Sequence, residues 1–151
     1  MRCYRLCEER FRALDGQGAQ KHGGRWNRPG RPVVYASSSR ALAVLELLAN
    51  VDREEIPASL LLLTIDIPDA APIESLHPDV LPKDWQTLPA PDACRSAGDD
   101  WLASARGLVL AVPSALVPEE PNFILNPEHA EFAAVTVVAD RPFNYDPRLL
   151  E

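Results

Sequence analysis

Leu60-Leu61-Leu62-Leu63-Thr64-Ile65-Asp66-Ile67 is the clearest β-strand in this 151-residue sequence. A continuous apolar run of this length, ended by Pro68, is typical of a strand buried inside a sheet. Thr64 and Asp66 interrupt the run, which is far shorter than the roughly 20 apolar residues that span a bilayer. The sequence therefore predicts a buried sheet and excludes a membrane span.

Shorter apolar runs predict four further strands, over residues 3–6, 33–36, 108–112 and 133–138. The last two are continuous enough to be expected at the centre of the sheet. Residues 37–39 are serines that offer N-caps, and residues 41–50 carry apolar side chains on nearly all sides, which predicts a buried helix. Residues 12–24 are rich in Gly, Gln and small residues and are expected to form a loop. Without a regular βαβ alternation or a GxGxxG turn, the order of elements favours an α+β fold.

The length of the chain is that of a single domain, expected over residues 1–151. Between Pro68 and Gly107 the sequence is polar and rich in proline, and only residues 99–106 are predicted to be helical. Residues 68–106 are therefore expected to be a variable insertion.

The charge is distributed unevenly along the chain. The formal net charge of −7 argues against general nucleic-acid binding, which relies on a basic surface. Residues 16–45 nevertheless contain no Asp or Glu, while they hold Lys21, Arg25, Arg28, Arg31 and Arg40. A cleft lined by one sign of charge concentrates ligands of the other sign, so this window predicts an anion site, with phosphate as the natural ligand. The alternative is a solvated loop with surface arginines.

Three cysteines, Cys3, Cys7 and Cys94, form neither a CxxC pair nor a metal-binding spacing. No secretory pattern opens the sequence, since charged residues follow Met1 without an apolar stretch. We therefore expect reduced thiols in the cytoplasm and no metal site.

Gly23-Gly24-Arg25-Trp26-Asn27 is the most informative short motif. Glycines allow a close backbone approach, and they are followed by an arginine fork, an aromatic plane and an amide, which together suit a nucleotide. Because arginine makes paired bonds to phosphate that lysine cannot reproduce, Arg25 is predicted to bind a pyrophosphate. Alternatively, the motif is a turn whose Trp26 packs in the core.

Two further positions carry chemistry. Glu46 is a carboxylate on an otherwise apolar helix, where a buried unpaired charge is costly, so it is either a catalytic carboxylate or the solvent-facing residue of an amphipathic helix. Ser114 directly follows a buried strand, where functional loops are common, but it lacks a GxSxG elbow. Asn122 and Asn126 lie in the segment that follows, where turn-shaping residues are the alternative to a functional role.

Together these segments resemble the RES-domain proteins, which are named for an Arg, a Glu and a Ser that correspond here to Arg25, Glu46 and Ser114. The matching segments keep the family's order across nearly the whole chain; they are Tyr4-Arg5-Leu6, residues 23–27, 34–37 and 45–46, Val112-Pro113-Ser114 and residues 122–129. The segment 68–106 matches weakly.

The resemblance implies an α+β domain similar to the catalytic core of ADP-ribosyltransferase toxins, with a mixed central sheet and flanking helices. It implies a toxin of a type II toxin–antitoxin system that uses NAD⁺ as its substrate and cleaves the nicotinamide–ribose bond. The acceptor is inorganic phosphate or water in some members, and a host protein of nucleotide synthesis in others. The implied partner is an Xre-type helix-turn-helix antitoxin that occupies the toxin's site, and DNA is contacted only through that antitoxin.

Within this hypothesis, Glu46 stabilises the ribose as nicotinamide leaves and Arg25 holds the pyrophosphate. Tyr35 and Trp26 face the nicotinamide ring, and Asn27 completes the nucleotide-binding motif. Ser114 is predicted to be catalytic together with Arg25, Glu46 and Tyr35, through a hydrogen bond to the nicotinamide ribose or amide. Arg31 or Lys21 would bind a phosphate acceptor, and Arg5 and Asn126 are further candidates for the site. The rival hypotheses are a protein mono-ADP-ribosyltransferase using the same residues, and a non-catalytic nucleotide-binding module.

Overall fold

The computed structural model describes all residues, 1–151. Seven strands and three helices follow one another as β1 (Arg2–Glu8), α1 (Gln17–His22), β2 (Val34–Ser37), α2 (Arg40–Asn50), β3 (Leu60–Asp66), β4 (Ile73–Ser75), α3 (Asp92–Ser104), β5 (Val109–Pro113), β6 (Pro121–Leu125) and β7 (Thr136–Phe143). No helix is both long and apolar enough to cross a membrane.

All seven strands form one sheet in the order β4-β5-β6-β2-β1-β3-β7. Strands β4 and β5 run parallel, and every other neighbouring pair is antiparallel. The leucine-rich strand β3 pairs with β1 along its whole length, from Arg2↔Asp66 to Glu8↔Leu60. The expected α+β fold with a mixed sheet and flanking helices is confirmed.

The two faces of the sheet are covered differently, because side chains alternate along each strand. One face carries a core that includes Cys3, Leu63 and Ile65, and Phe11 and Phe132 of two short 3-10 helices pack against it. The opposite face is covered by helices. There, α3 packs its apolar side against β5 and β6, and α2 packs over β1 and β3.

Strands β1 and β2 diverge at the centre of the sheet. Their only paired residues are Tyr4 and Ser37, whereas the other neighbouring strands are joined by three to seven residue pairs. Beyond that pair, the Arg5 side chain bridges the two strands, because its Nη1 donates to the Tyr35 carbonyl oxygen at 2.8 Å. The divergence creates the space in which the candidate site lies.

Several sequence-based expectations are wrong in detail. The predicted loop at residues 12–24 contains α1. The strand expected over residues 133–138 begins at Thr136 and lies at the edge of the sheet, where most of its residues are exposed. Helix α2 buries one face only, and Leu45 on its outer side is 41% exposed. Strand β6 replaces what was expected to be a polar connection.

Residues 68–106 supply more structure than the single helix predicted at residues 99–106. They contribute β4 at the sheet edge, and α3 begins seven residues earlier, at Asp92. Trp85 and the α3 residue Trp101 are both buried in the core on this side of the sheet. Gly98 allows this packing, because a Cβ there would lie 2.7 Å from the Trp26 carbonyl carbon. Whether the segment varies among relatives remains a prediction, but in this chain it is part of the domain core.

Candidate active site

A cavity of about 1100 Å³ opens beside the point where β1 and β2 diverge. Its lining includes Arg5 of β1, Tyr35 and Ser37 of β2, Glu46 of α2, and the glycine-rich loop around Arg25. The volume lies just above the usual range for small-molecule sites, about 300–1,000 Å³. The lining also includes Asn122 of β6, so the cavity brings together residues from nearly the whole length of the chain.

Glu46 is held at the cavity wall by one of its two carboxylate oxygens. Helix α2 begins at Arg40 because Ser39 Oγ accepts a hydrogen bond from the Leu42 amide at 3.0 Å. One turn further along, Glu46 Oε1 accepts bonds from Ser114 Oγ at 2.8 Å and from Asn122 Nδ2 at 2.6 Å. No protein group bonds to Oε2. Glu46 is thus a partly buried, oriented carboxylate rather than a solvent-facing residue.

Ser114 lies behind Glu46 and is fully buried, outside the cavity lining. Its hydroxyl donates to Glu46 and accepts from the amides of Leu116 and Val117, both at 3.1 Å. One donor and two acceptor positions are all that a hydroxyl has. The contacts of Ser114 are therefore complete within the protein.

Arg25 projects from the glycine-rich loop into the cavity. Its Nη1 donates to the carbonyl oxygens of Trp85 and Thr87, each at 2.8 Å, so the segment before α3 fixes the side chain. Trp26 points the other way: it is 3% exposed and its ring lies 6.3 Å from that of Trp85. The alternative in which Trp26 packs in the core describes its position correctly, while Arg25 remains available to a ligand through its other nitrogens.

Asn27 and Tyr35 fix the shape of the loop. The Tyr35 hydroxyl donates to Asn27 Oδ1 at 2.6 Å and accepts from the Trp26 amide at 3.2 Å. Burial raises the pKa of Tyr35, so the hydroxyl stays neutral. A Cβ on Gly24 would lie 2.7 Å from this hydroxyl, which explains the glycine at that position. Asn27 itself is fully buried.

Most of the basic side chains of residues 16–45 do not carry free charge into the cavity. Arg28 pairs with Asp99 of α3 at 3.0 Å, and Arg40 stacks over the Tyr4 ring at 4.4 Å. Lys21 and Arg31 are exposed and lie outside the cavity lining. The window therefore delivers one uncompensated cation to the cavity, Arg25, rather than five.

A second uncompensated cation comes from β1. Arg5 lines the cavity without a carboxylate partner, and its Nε is buried with no hydrogen-bond partner. Arg95 also lines the cavity but is paired with Asp92 at 2.6 Å. Arg5 and Arg25 are thus the two arginines of the lining that carry free positive charge toward an anion.

Asn126 is buried at the end of β6, away from the cavity, where its Oδ1 accepts from the Glu128 amide at 3.0 Å. No group of three or more His, Cys, Asp or Glu side chains is placed to hold a metal ion. The sequence predicts Ser37 as a helix cap and Asn122 as a turn residue, within segments that resemble the RES family. In the structure Asn122 bonds to Glu46, and Ser37 bonds to Asn122. The alternation of side chains along two adjacent strands could have placed Ser37 and Asn122 on the same face of the sheet. The segment of β6, however, was not recognised as a strand.

Known proteins resemble this chain in both sequence and structure. The RES domain family matches residues 2–146. The chain is 41% identical over 152 residues to Toxin Res of Photorhabdus laumondii, covering 98% of this chain and 96% of that protein. It is 40% identical over 139 residues to the Prs ADP-ribosylating toxin of Sphingobium sp., covering 91% and 86%.

A more distant relative is the NAD⁺ phosphorylase MbcT of Mycobacterium tuberculosis, 29% identical over 132 residues, which cover 75% of this chain and 67% of that protein. The crystal structure of the M. tuberculosis MbcT–MbcA toxin–antitoxin complex superimposes with a TM-score of 0.79 at 21% identity, covering 99% of this chain and 86% of the matched chain. The fold is therefore shared with MbcT. On the sequence match over residues 2–146 and the identity to Res toxins, the chain belongs to the RES domain family.

Proposed function

We propose that the chain is the toxin of a toxin–antitoxin pair and that its cavity binds NAD⁺ and cleaves the nicotinamide–ribose bond. The observation that carries this proposal is Glu46: one carboxylate oxygen is fixed by two hydrogen bonds and the other has no protein partner, in a cavity with two uncompensated arginines. The combination of a positioned carboxylate with free cations suits a substrate that has both a cationic leaving group and a pyrophosphate.

The chemistry follows from the charge that develops on the ribose. As the bond between ribose C1′ and the nicotinamide nitrogen breaks, its electron pair leaves with nicotinamide, which becomes neutral, and positive charge grows on the sugar. Glu46 Oε2 stabilises this charge directly or through the 2′-hydroxyl, a contact that in glycosidases contributes several kcal/mol. An oxygen nucleophile then bonds to C1′: water releases a proton to solvent, whereas phosphate reacts through an oxygen that already carries negative charge.

The remaining residues bind the substrate and fix the shape of the site. Arg25 and Arg5 hold the pyrophosphate, since guanidinium groups match phosphate geometry. Tyr35 presents its ring to the nicotinamide, whose positive charge favours an aromatic face until the leaving group becomes neutral. Trp26 and Asn27 act by fixing the loop that carries Arg25.

Two acceptors are consistent with this site. A small acceptor, phosphate or water, makes the chain an NAD⁺ phosphorylase or glycohydrolase, in line with its similarity to MbcT. A protein acceptor makes it a mono-ADP-ribosyltransferase acting, for example, on an enzyme of nucleotide synthesis. The second candidate is favoured by the higher identity to the Sphingobium ADP-ribosylating toxin, 40% against 29%.

An antitoxin partner is proposed from the structural match to a toxin–antitoxin complex. We assign it to the Xre-type helix-turn-helix class on the family resemblance, with DNA bound only through the antitoxin. The acidic net charge of −7 suits contact with a basic DNA-binding protein. Three free, buried cysteines are in keeping with a cytoplasmic location.

The test is a product analysis of antitoxin-free protein incubated with NAD⁺, with and without inorganic phosphate. ADP-ribose-1″-phosphate formed only with phosphate identifies a phosphorylase, and ADP-ribose formed in both reactions identifies a glycohydrolase. Adding cell extract and searching for proteins that gain an ADP-ribosyl mass tests the transferase. NAD⁺ that binds but stays intact in all three reactions would leave a binding module and overturn the proposal.

A further inference from the structure

We infer that Ser37 and Asn122 are positioning residues for Glu46, acting as a relay from the sheet to the carboxylate. Ser37 Oγ donates to Asn122 Oδ1 at 2.7 Å, and Asn122 Nδ2 donates to Glu46 Oε1 at 2.6 Å. Ser114 supplies a second, independent bond to the same oxygen. This inference rests on the proposed function, because it concerns the carboxylate that the proposal places beside the ribose.

The direction of each bond in the relay is forced by chemistry. An ionised carboxylate only accepts hydrogen bonds, so Asn122 has to turn its NH₂ group toward Glu46. Its carbonyl oxygen then faces Ser37, whose hydroxyl has to donate. If the Ser37 hydroxyl is removed, Asn122 Oδ1 loses its donor, and the amide is held by its bond to Glu46 alone. The position of Asn122 Nδ2, and with it that of Glu46 Oε1, is then less well defined.

The relay is anchored in the hydrogen-bonded sheet. Ser37 and Asn122 are directly opposite each other on β2 and β6, and Asn122 is also opposite Val112 on β5. Ser37 is only 4% exposed. Glu46, in contrast, lies on a helix with an exposed outer face. The sheet therefore determines where Oε1 lies, and fixing Oε1 fixes the direction of the unpartnered Oε2.

Loss of the relay affects turnover more than substrate binding. Arg25 and Arg5, which hold the pyrophosphate, bond to other parts of the chain. A reacting group displaced by about 1 Å costs up to about 100-fold in rate. We expect Ser37→Ala and Asn122→Ala each to lower kcat for nicotinamide release about tenfold or more, with KM for NAD⁺ changed less than about threefold.

A double-mutant cycle separates positioning from general destabilisation. Because Ser37 acts only through Asn122, the Ser37→Ala/Asn122→Ala protein should have the same kcat as Asn122→Ala alone. Matched controls are Ser59→Ala and Asn144→Ala, both at exposed positions outside the cavity lining, which should keep the kcat of the unaltered protein. If Asn122→Ala does not fold, Asn122→Leu keeps a similar volume and adds no charge but cannot donate to Glu46, and it should lose kcat at least as strongly.

These kcat measurements distinguish the positioning role of Ser37 and Asn122 from the proposed cleavage of NAD⁺. Cleavage by the unaltered protein, with kcat lost in both single variants and no further loss in the double variant, supports the relay. Full kcat in folded Ser37→Ala and Asn122→Ala, or losses that multiply in the double variant, would overturn the relay while leaving the proposed function intact. No NAD⁺ cleavage or ADP-ribosyl transfer by the unaltered protein would overturn the proposed function, and the role of the relay with it.

Discussion

Gly98 of α3 is predicted to be a position where even a methyl group is not tolerated. A Cβ built on it would overlap the Trp26 carbonyl oxygen, lie 2.7 Å from the carbonyl carbon and lie 3.1 Å from the Trp26 Cβ, whereas ordinary contacts begin at 3.4 Å. The obstructing atoms are mainly backbone, so no side-chain rotation relieves the overlap. In Gly98→Ala, α3 must therefore retreat from the glycine-rich loop.

The expected loss of stability follows from two opposing effects. Alanine favours the helix by about 1 kcal/mol over glycine. Overpacking of a close contact costs about 1–3 kcal/mol, and a backbone obstruction places Gly98→Ala at about 3 kcal/mol. The free energy of unfolding should therefore fall by about 2 kcal/mol, which for a domain of this size lowers Tm by about 4–8 °C.

Thermal unfolding followed by circular dichroism measures this effect, and Gly18→Ala in α1 is the matched control. A Cβ on Gly18 meets no atom within 4 Å, so only the helix preference remains. Gly18→Ala should therefore keep Tm or raise it by about 2–4 °C. A Gly98→Ala protein that unfolds at or above the Tm of the unaltered protein would refute the close packing of α3 on Trp26.

Three further predictions concern the site and the core. Arg25→Ala should raise KM for NAD⁺ about tenfold or more, since a charge-assisted bond contributes about 1.5–3 kcal/mol, and an unchanged KM measured in steady-state kinetics would remove Arg25 from the pyrophosphate site. Tyr35→Phe should lower the free energy of unfolding in urea by about 1–3 kcal/mol, because it leaves the Trp26 amide unpaired; equal stability would mean that the pair is not formed. Burial raises the pKa of the Cys3 thiol to about 12, so at pH 8 almost no thiolate is present and a thiol-specific reagent should modify this cysteine only after unfolding.

The parts of the fold that the sequence predicted are those with a strong local pattern. The run at residues 60–67 is apolar enough to specify a buried strand, and the serine cap specifies where α2 begins. The place of a strand within the sheet depends on which distant segments it pairs with, and a local sequence pattern does not reveal these partners. For this reason β7 was placed at the centre although it lies at the edge, and the short strand β6, between two polar loops, was missed.

The site was predictable to the extent that its residues are unusual where they occur. Glu46 in an apolar helix and Arg25 after two glycines are conspicuous in the sequence alone. The partners that define their chemistry come from elsewhere in the chain. Asp99, which neutralises Arg28, and Asn122, which holds Glu46, lie more than seventy residues from the groups they contact. Such contacts follow from the tertiary fold, so the uneven charge of residues 16–45 overstated the positive charge of the cavity.

Glu46 is proposed to promote cleavage of the nicotinamide–ribose bond by stabilising the positive charge on the ribose. The most direct test of this role is the rate of nicotinamide release from NAD⁺, under the acceptor condition that supports turnover, by the unaltered protein and by Glu46→Gln. Glutamine keeps nearly the same size but loses the negative charge that faces the ribose. We predict a loss of kcat of at least about 100-fold in a Glu46→Gln protein with unchanged circular dichroism. Nicotinamide release at an equal rate by the two folded proteins would contradict this role of the Glu46 carboxylate.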